Sequence, residues 1–190
     1  GERRPGTVGK PLPDVEIKIN DPQTGRENAN GEIGMIEVRG PNVFKGYWNM
    51  PDKTSLELRE NGYFITGDLG KLSSDGYLSI VGREKDLIIS GGYNVYPKEI
   101  EDVLNELDKI DETAVFGILD NDFGERVVAA VVMLENESFD KSKTEIFVND
   151  KLARYKQPKE YFVLDSLPRN SMGKVQKNEL RKQFSNLRAD

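Results

Sequence analysis

The sequence contains neither cysteine nor histidine. Without cysteine there is no disulfide framework, no thiolate nucleophile and no zinc–thiolate site. Without histidine, the Ser-His-Asp, Cys-His and HExxH arrangements are excluded as well. Any chemistry must therefore use lysine, arginine, carboxylates, hydroxyl groups or backbone amides.

Basic residues and long apolar runs are also scarce. The 27 Lys and Arg residues are outnumbered by 33 Asp and Glu, which gives a formal net charge of -6. An acidic chain is a poor partner for nucleic acid, because a phosphate backbone selects a basic surface. The longest purely apolar run is VVAAVVML at 127–134, far below the roughly 20 residues of a membrane-spanning helix. We therefore expect no nucleic-acid partner, no membrane span and a cytoplasmic protein.

The length of the chain suits two small domains, since 190 residues can bury two separate cores. Its first residues, GERRPGTVG, are rich in turn formers and lack an initiating methionine and a targeting pattern. We expect the sequence to be a piece of a longer protein.

The first part of the chain has the pattern of short strands joined by turns. The stretch VEIKI alternates apolar and polar residues, and IGMIEVRG resumes the extended pattern after Asp-Pro, Thr-Gly and Asn-Gly breakers. Two more strands flank the turn residues SSDG. This pattern predicts an antiparallel sheet, or a small barrel-like subdomain, over residues 1–84.

The second part mixes helices and strands. A helix is predicted to open at Pro97, with one apolar face made of Ile100, Val103, Leu104 and Leu107. Two strands, TAVFGIL and RVVAAVVML, follow it, and EYFVL forms another strand before a closing helix, KNELRKQF. We also expect a helix that begins at Ser142, because Glu145 three residues later completes a capping-box pattern. The fold class predicted is α+β, with a central antiparallel sheet flanked by helices.

Three segments contain unusual combinations of residues. In YFITGDL, Gly67 precedes Asp68 at the end of a strand, where a carboxylate can accept ribose hydroxyls, although a Gly-Asp pair is more often a simple turn. In GREKDLIISGGYNVYPKEIE, the residues Gly91 and Gly92 fit either an ordinary turn or a thin loop that lines a channel. These two segments taken singly leave both interpretations open.

The third segment, LPRNSMGKVQKNEL, presents Lys174 directly after a glycine. For a single lysine, a solvated position in a loop is the ordinary interpretation. The turn formers Pro168, Asn170, Ser171 and Gly173 nevertheless predict a loop of fixed geometry. A lysine held in such a loop can act as an electrostatic catalyst.

Taken together, and in this order, the three segments resemble the adenylate-forming superfamily of acyl-CoA synthetases, luciferases and nonribosomal adenylation domains. The resemblance extends over essentially the whole chain, and MIEVRGPNVFKGYW, GGYNVYPKEIE and LPRNSMGKVQKNELR look most like malonyl-CoA synthetases. One departure is Met172 before the glycine, where many members carry threonine. Malonyl-CoA synthetase-like sequences also show methionine there.

The resemblance implies an ATP-dependent acid–CoA ligase, which forms acyl-AMP from a carboxylic acid and ATP and then acyl-CoA. By this resemblance Asp68 binds the ribose hydroxyls, Arg83 lies beside the same ribose and phosphate, and Lys174 serves the first half-reaction. Lys85 falls on the hinge position between residues 1–84, the end of the large domain, and residues 85–190, the mobile small domain.

For the second half-reaction, the resemblance places Ser90, Gly91 and Gly92 along the channel for the pantetheine arm of coenzyme A. Glu99 matches an acidic residue to which we assign a structural role. The phosphate-binding loop, the Mg²⁺ ligands and the acyl pocket of the family all precede the matched region, so we expect the isolated chain to be inactive.

The resemblance leaves three functional alternatives. The parent protein is a malonate ligase, another ligase acting on fatty or aryl acids or loading a carrier protein, or a non-catalytic binding module. The family also suggests that Lys174 is a target of a lysine acyltransferase and a deacylase, since acylation would remove the charge.

Overall fold

The computed structural model of the protein describes residues 3–22 and 24–185. The chain divides into two compact units, Gly1–Lys85 and Asp86–Asp190. The strands in the described residues are β1 Glu16–Asn20, β2 Gly34–Arg39, β3 Phe64–Leu72, β4 Leu78–Arg83, β5 Ile88–Ser90, β6 Tyr93–Val95, β7 Ile110–Asp120, β8 Gly124–Met133 and β9 Glu160–Leu164. The helices are α1 Pro51–Glu57, α2 Pro97–Leu104, α3 Lys141–Lys151 and α4 Lys177–Phe184.

The first unit is built on an antiparallel sheet in which β1, β2, β3 and β4 follow one another in space as in sequence. The alternating pattern of these strands buries one face, whose centre is Ile19, Ile36 and Leu78. Within the described residues β1 and β4 do not pair, so the sheet stays open and the barrel-like closure that we expected is not reached. Four strands are few for a barrel, which typically needs about eight.

The second unit is built on a five-stranded sheet of order β6-β5-β8-β7, with β9 paired to β8. Strand β8 supplies both cores, because successive side chains of a strand point to opposite faces. Val127, Ala129 and Val131 lie in one cluster with residues of α2 and α3. Val128 and Ala130 lie in the other cluster with Leu180 of α4. The mainly antiparallel pairing of this sheet, with helices packed on it, confirms the α+β prediction.

Several predicted elements have the expected bounds. Strand β9 covers EYFVL, α4 covers KNELRKQF, and Pro97 occupies the first turn of α2. Ile100 and Leu104 are fully buried, as the apolar face of α2 predicts. The sheet differs from the prediction in one respect, since β9 runs parallel to β8.

The predicted start of α3 at Ser142 is wrong. Asp140 is the N-cap, and its Oδ1 accepts a hydrogen bond of 3.1 Å from the backbone N–H of Lys143. An aspartate at the N-cap satisfies an orphan donor of the first turn, so the helix begins at Lys141 and Ser142 already lies inside it.

None of the helices in residues 3–22 and 24–185 combines the length and the apolar character of a bilayer-spanning segment.

Candidate active site

Asp68 lies in an irregular part of β3. Met35 pairs with Leu69 and Glu37 with Ile65, so residues 66–68 face only Ile36 of β2. This bulge requires the positive φ of +71° at Gly67, a backbone conformation that glycine adopts without steric cost. Bulges commonly redirect a side chain beside a functional site, and this one ends at the aspartate.

A threonine fixes the bulge from inside. The hydroxyl of Thr66 donates to the carbonyl oxygen of Ile36 at 2.9 Å and accepts from the backbone N–H of Asp68 at 3.0 Å. Both bonds hold the backbone of Asp68 in place without occupying its carboxylate. No local pattern in the sequence indicates this role of Thr66.

Arg83 is the direct cross-strand partner of Asp68. The two residues are paired in the register of β3 and β4, and Nε of Arg83 lies 2.7 Å from Oδ1 of Asp68. The carboxylate is largely buried, with 24% of the side chain exposed, whereas the guanidinium side chain is 49% exposed. An oriented carboxylate beside an accessible cation can hold the hydroxyl groups and the phosphate of one nucleotide.

Lys85 directly follows this pair. It is exposed and lies in a short 3-10 turn, Glu84–Asp86, at the point where the chain passes from the first unit to the second. The next residue, Asp86, forms an ion pair of 3.3 Å with Arg181 of α4. The ion pair therefore connects the turn to α4 on the C-terminal side of Lys85.

Ser90, Gly91 and Gly92 form the tip of the β5–β6 hairpin. Ser90 pairs with Tyr93, and the two glycines between them have φ values of +57° and +82°. Positive φ at both central residues is the requirement of a type I′ turn. The N–H of Gly91 also donates to the carbonyl oxygen of Phe123 at 2.8 Å, and a Cβ at Gly91 would lie 3.4 Å from the ring of Phe123.

A cavity of about 420 Å³ adjoins this turn. Its walls include the aromatic rings of Tyr93, Phe123 and Tyr155, of which Tyr93 and Tyr155 stack with centroids 4.7 Å apart. Arg154 and Lys159 add positive charge to the same walls. Such a cavity can accept a ligand with an apolar or aromatic part and an anionic part. These five residues could not be predicted as one site, since they come from three separate stretches of the chain.

Lys174 lies in the loop between β9 and α4. Its side chain is exposed, and none of the ion pairs within the described residues includes it. The predicted turn is present: the N–H of Gly173 donates to the carbonyl oxygen of Asn170 at 2.9 Å, and Gly173 has a φ of +77°. The ammonium group is therefore presented to solvent from a hydrogen-bonded loop.

Glu99 holds the start of α2. Its carboxylate accepts two hydrogen bonds, of 2.6 and 2.8 Å, from Nζ of Lys156. Burial would lower the pKa of Lys156, but the hydrogen bond to Glu99 outweighs it and raises that pKa. The contact supports the structural role that we expect for Glu99.

The site residues thus fall into separate groups. Asp68 and Arg83 are in contact within the first unit, and Ser90, Gly91 and Gly92 share one hairpin tip within the second. Lys174 lies on another loop of the second unit. In the described part of the chain, no group of three or more acidic side chains is arranged to hold a metal ion.

Two family models match the chain. The model of the AMP-binding enzyme C-terminal domain matches residues 99–174, and the model of the AMP-binding enzyme matches residues 1–48. A malonate–CoA ligase from Arabidopsis thaliana is 44% identical over 197 residues, which cover 98% of this chain and 32% of that protein. A long-chain-fatty-acid–CoA ligase from Bacillus subtilis is 41% identical over 180 residues, which cover 95% of this chain and 32% of that protein.

Solved structures also match this chain closely. The crystal structure of ATP-bound MatB from Rhodopseudomonas palustris matches with a TM-score of 0.94 and 50% identity. The match covers 100% of this chain and 38% of MatB. The chain therefore spans about a third of the length of the curated relatives that it matches.

Proposed function

Because the chain belongs to the family of AMP-binding enzymes, we propose that it is the C-terminal part of an ATP-dependent acid–CoA ligase. Such an enzyme joins a carboxylic acid to AMP with release of pyrophosphate, and then transfers the acyl group to the thiol of coenzyme A. The observation that carries the proposal is that CoA ligases match 95% or more of this chain at above 40% identity. Residues 1–84 are then the end of the large domain, and residues 85–190 are the small C-terminal domain.

In this proposal, Asp68 and Arg83 bind the nucleotide. The carboxylate of Asp68 accepts the ribose hydroxyls, and the exposed guanidinium of Arg83 faces the ribose and the phosphate. Their 2.7 Å contact supports these roles, because each side chain orients the other before the ligand arrives.

Lys174 is the proposed catalytic residue of the first half-reaction. A carboxylate that attacks the α-phosphorus brings two anions together, so the barrier depends on neutralising charge on the phosphoryl oxygens. A lysine suits this task, since its ammonium is a compact charge on a long stem. The exposed, unpaired ammonium described above is available for it.

The second half-reaction needs the thiol in place of the lysine. We therefore place the pivot of a domain rotation at Lys85, where a change of backbone dihedrals would move the second unit. The type I′ turn at Gly91 and Gly92 lacks side chains along its path, and we assign it to the channel of the pantetheine arm together with Ser90. The adjoining cavity offers aromatic and cationic walls for the remainder of coenzyme A.

Malonate is the proposed acid. The support is the 44% identity to a malonate–CoA ligase, which exceeds the 41% identity to a fatty-acid ligase by a narrow margin. A fatty or aryl acid is therefore the second candidate. If the parent is an adenylation domain that loads a carrier protein, the acyl group would be transferred to a phosphopantetheine carrier. If it is a non-catalytic module, no acyl-AMP would form.

The remaining parts of the catalyst belong to the rest of the parent protein. Mg²⁺ would neutralise the phosphates of ATP, and we assign its ligands, the phosphate-binding loop and the acyl pocket to the part that precedes this chain. A cytoplasmic location, where ATP and coenzyme A are both available, remains our prediction.

Reversible acylation of Lys174 is a further part of the proposal. Acylation would remove the charge on which the first half-reaction depends, and the exposed side chain is accessible to an acyltransferase and a deacylase. Mass spectrometry of the native protein tests this, and a Lys174 that is never modified while related ligases are acylated would contradict it.

Acid-dependent exchange between ATP and pyrophosphate tests the function as a whole. The full-length parent should catalyse exchange with malonate and much less with a long-chain fatty acid or an aryl acid. The isolated 190-residue chain should give only background. Exchange catalysed by the isolated chain would refute its expected inactivity. A parent that makes no acyl-AMP from any of the three acids would refute the ligase assignment.

A further inference from the structure

The loop that carries Lys174 is held mainly by one of its own residues, Asn170. The side-chain Oδ1 of Asn170 accepts hydrogen bonds from the backbone N–H groups of Met172, at 3.0 Å, and of Lys174, at 2.9 Å. The backbone N–H of Asn170 donates to the carbonyl oxygen of Lys174 at 2.9 Å. Both backbone polar groups of Lys174 are therefore bonded to the same asparagine.

Arg169 also holds the loop that carries Lys174. Its Nη1 donates to the carbonyl oxygen of Gly173 at 2.7 Å, and its Nη2 is paired with the carboxylate of Glu112 on β7. Residues 169 and 175 also form an isolated antiparallel bridge that closes the base of the loop. Arg169 thus connects the loop to the central sheet of the second unit.

These bonds fix both peptide groups that flank the Cα of Lys174. The peptide between Gly173 and Lys174 is held at its carbonyl by Arg169 and at its N–H by Asn170. The next peptide is held at the carbonyl of Lys174 by Asn170. When two successive peptide planes are fixed, φ and ψ of the residue between them are fixed as well. The direction in which the lysine side chain leaves the backbone is therefore set.

We propose that Asn170 and Arg169 are positioning residues that aim the ammonium of Lys174 in the first half-reaction. A lysine stem has four rotatable bonds, so its ammonium reaches one place reproducibly only if the stem starts from a fixed point. Misplacement of a catalytic group by about 1 Å can cost on the order of 100-fold in rate. This inference rests on the proposed function, since it assigns no role to the loop beyond acid activation.

A simpler interpretation is that Asn170 only stabilises a surface loop. The two half-reactions distinguish the interpretations, because Lys174 is needed in the first and must leave before the second. A positioning role predicts a loss confined to adenylation, whereas a loss of folding would lower both half-reactions.

The test uses the full-length parent with three substitutions in the loop, and Lys174→Ala as the reference for lost adenylation. Asn170→Leu keeps the approximate size of the side chain but removes the acceptor, and Asn170→Asp keeps an acceptor oxygen in the place of Oδ1. Ser171→Ala is the matched control, since the Ser171 hydroxyl makes no hydrogen bond within the described residues. Pyrophosphate exchange with malonate reports the first half-reaction, and acyl-CoA formation from supplied malonyl-AMP and coenzyme A reports the second.

We expect Asn170→Leu to lower exchange by roughly 10- to 100-fold while the second half-reaction stays within about twofold of the wild type. Asn170→Asp should recover exchange to within about threefold, because it keeps both hydrogen bonds to the backbone. Ser171→Ala should leave both rates unchanged.

Two results would overturn the inference while the proposed function stands: normal exchange in Asn170→Leu when Lys174→Ala has lost it, or an equal loss in both half-reactions. If the wild-type parent itself shows no acid-dependent exchange, the proposed function fails, and the inference fails with it.

Discussion

Arg83 and Asp68 face each other across the β3–β4 ladder with Nε and Oδ1 2.7 Å apart. The bulge at residues 66–68 and the end of β4 bring them together, so the pair is a product of strand register. Because Arg83 is half exposed, a ligand can approach the pair from the guanidinium side.

The first prediction concerns this pair. Asp68→Asn in the full-length parent removes the negative charge that is proposed to accept the ribose hydroxyls, and a hydrogen bond to a charged group contributes about 1.5 to 3 kcal/mol. We expect kcat/KM for ATP in the exchange reaction to fall roughly 10- to 100-fold.

Asp75→Asn is the matched control, since Asp75 is an exposed carboxylate paired with Arg4 in the same unit. It should leave kcat/KM for ATP unchanged. An equal effect of both substitutions would show that Asp68 acts only through stability.

The second prediction concerns Lys174. Lys174→Ala should lower adenylation by about 10²- to 10³-fold, the usual effect of removing one preorganised group that stabilises charge in the transition state. Thioester formation from supplied acyl-AMP should continue. Lys182→Ala removes an exposed lysine of α4 and should have no effect, and adenylation at the native rate in Lys174→Ala would exclude the proposed catalytic role.

The third prediction concerns the pivot. Lys85→Pro fixes φ of residue 85 near -65°, a value compatible with the 3-10 turn that the residue occupies. If the rotation requires another φ at this position, adenylation should persist while thioester formation falls at least about tenfold. Lys85→Ala leaves φ free and should retain both half-reactions. Equal rates of thioester formation in the two variants would show that the pivot does not lie at residue 85.

The fourth prediction concerns a buried ion pair in the first unit. Glu37 is 1% exposed, and its two oxygens accept from Nε and Nη2 of Arg59 at 2.8 and 2.6 Å. Arg59→Ala leaves this carboxylate buried without its partner and should lower the free energy of unfolding by about 3 kcal/mol. Arg39→Ala breaks an exposed pair with Glu16 and should lower the free energy of unfolding far less, because water and salt screen an exposed pair. Urea unfolding measures both.

The same pair makes stability depend on pH. Burial raises the pKa of Glu37, but the hydrogen bonds from Arg59 and Asn20 outweigh it and hold the pKa below the ordinary 4.5. The folded state therefore binds fewer protons than the unfolded state, so this stabilisation is present above about pH 4.5 and is lost as pH falls through the lowered pKa. In Arg59→Ala, burial is opposed only by the hydrogen bond from Asn20 and the charge of Lys18, so the pKa of Glu37 should rise. The contribution of Glu37 to the free energy of unfolding should then decrease less as the pH falls below about 4.5. An identical pH dependence of the free energy of unfolding in both proteins would contradict this.

Local patterns in the sequence predict the helices and strands well where one signal dominates. The apolar spacing and Pro97 define α2, and EYFVL has the length and composition of β9. At α3 two signals compete, because both Asp140 and Ser142 are suitable caps. The capping-box spacing favours Ser142, whereas the backbone hydrogen bonds begin at Asp140.

Features that depend on pairing between distant residues could not be predicted. The parallel register of β9 on β8 and the bulge that directs Asp68 arise from contacts between segments that no local pattern connects. Recognition of the motifs identified Asp68, Arg83 and Lys174 as candidates, but it gave no indication that Asn170 bonds to both sides of Lys174. That arrangement depends on the folded loop.

The contact between Asp86 and Arg181 has a mechanical consequence. Helix α4 begins three residues after Lys174, and through Arg181 it reaches back to the residue beside Lys85. If residue 85 is the pivot, as proposed, a rotation there would be transmitted to the loop of Lys174 through this ion pair and α4 as well as along the chain. The distance that the ammonium of Lys174 travels would then depend on the angle of that rotation.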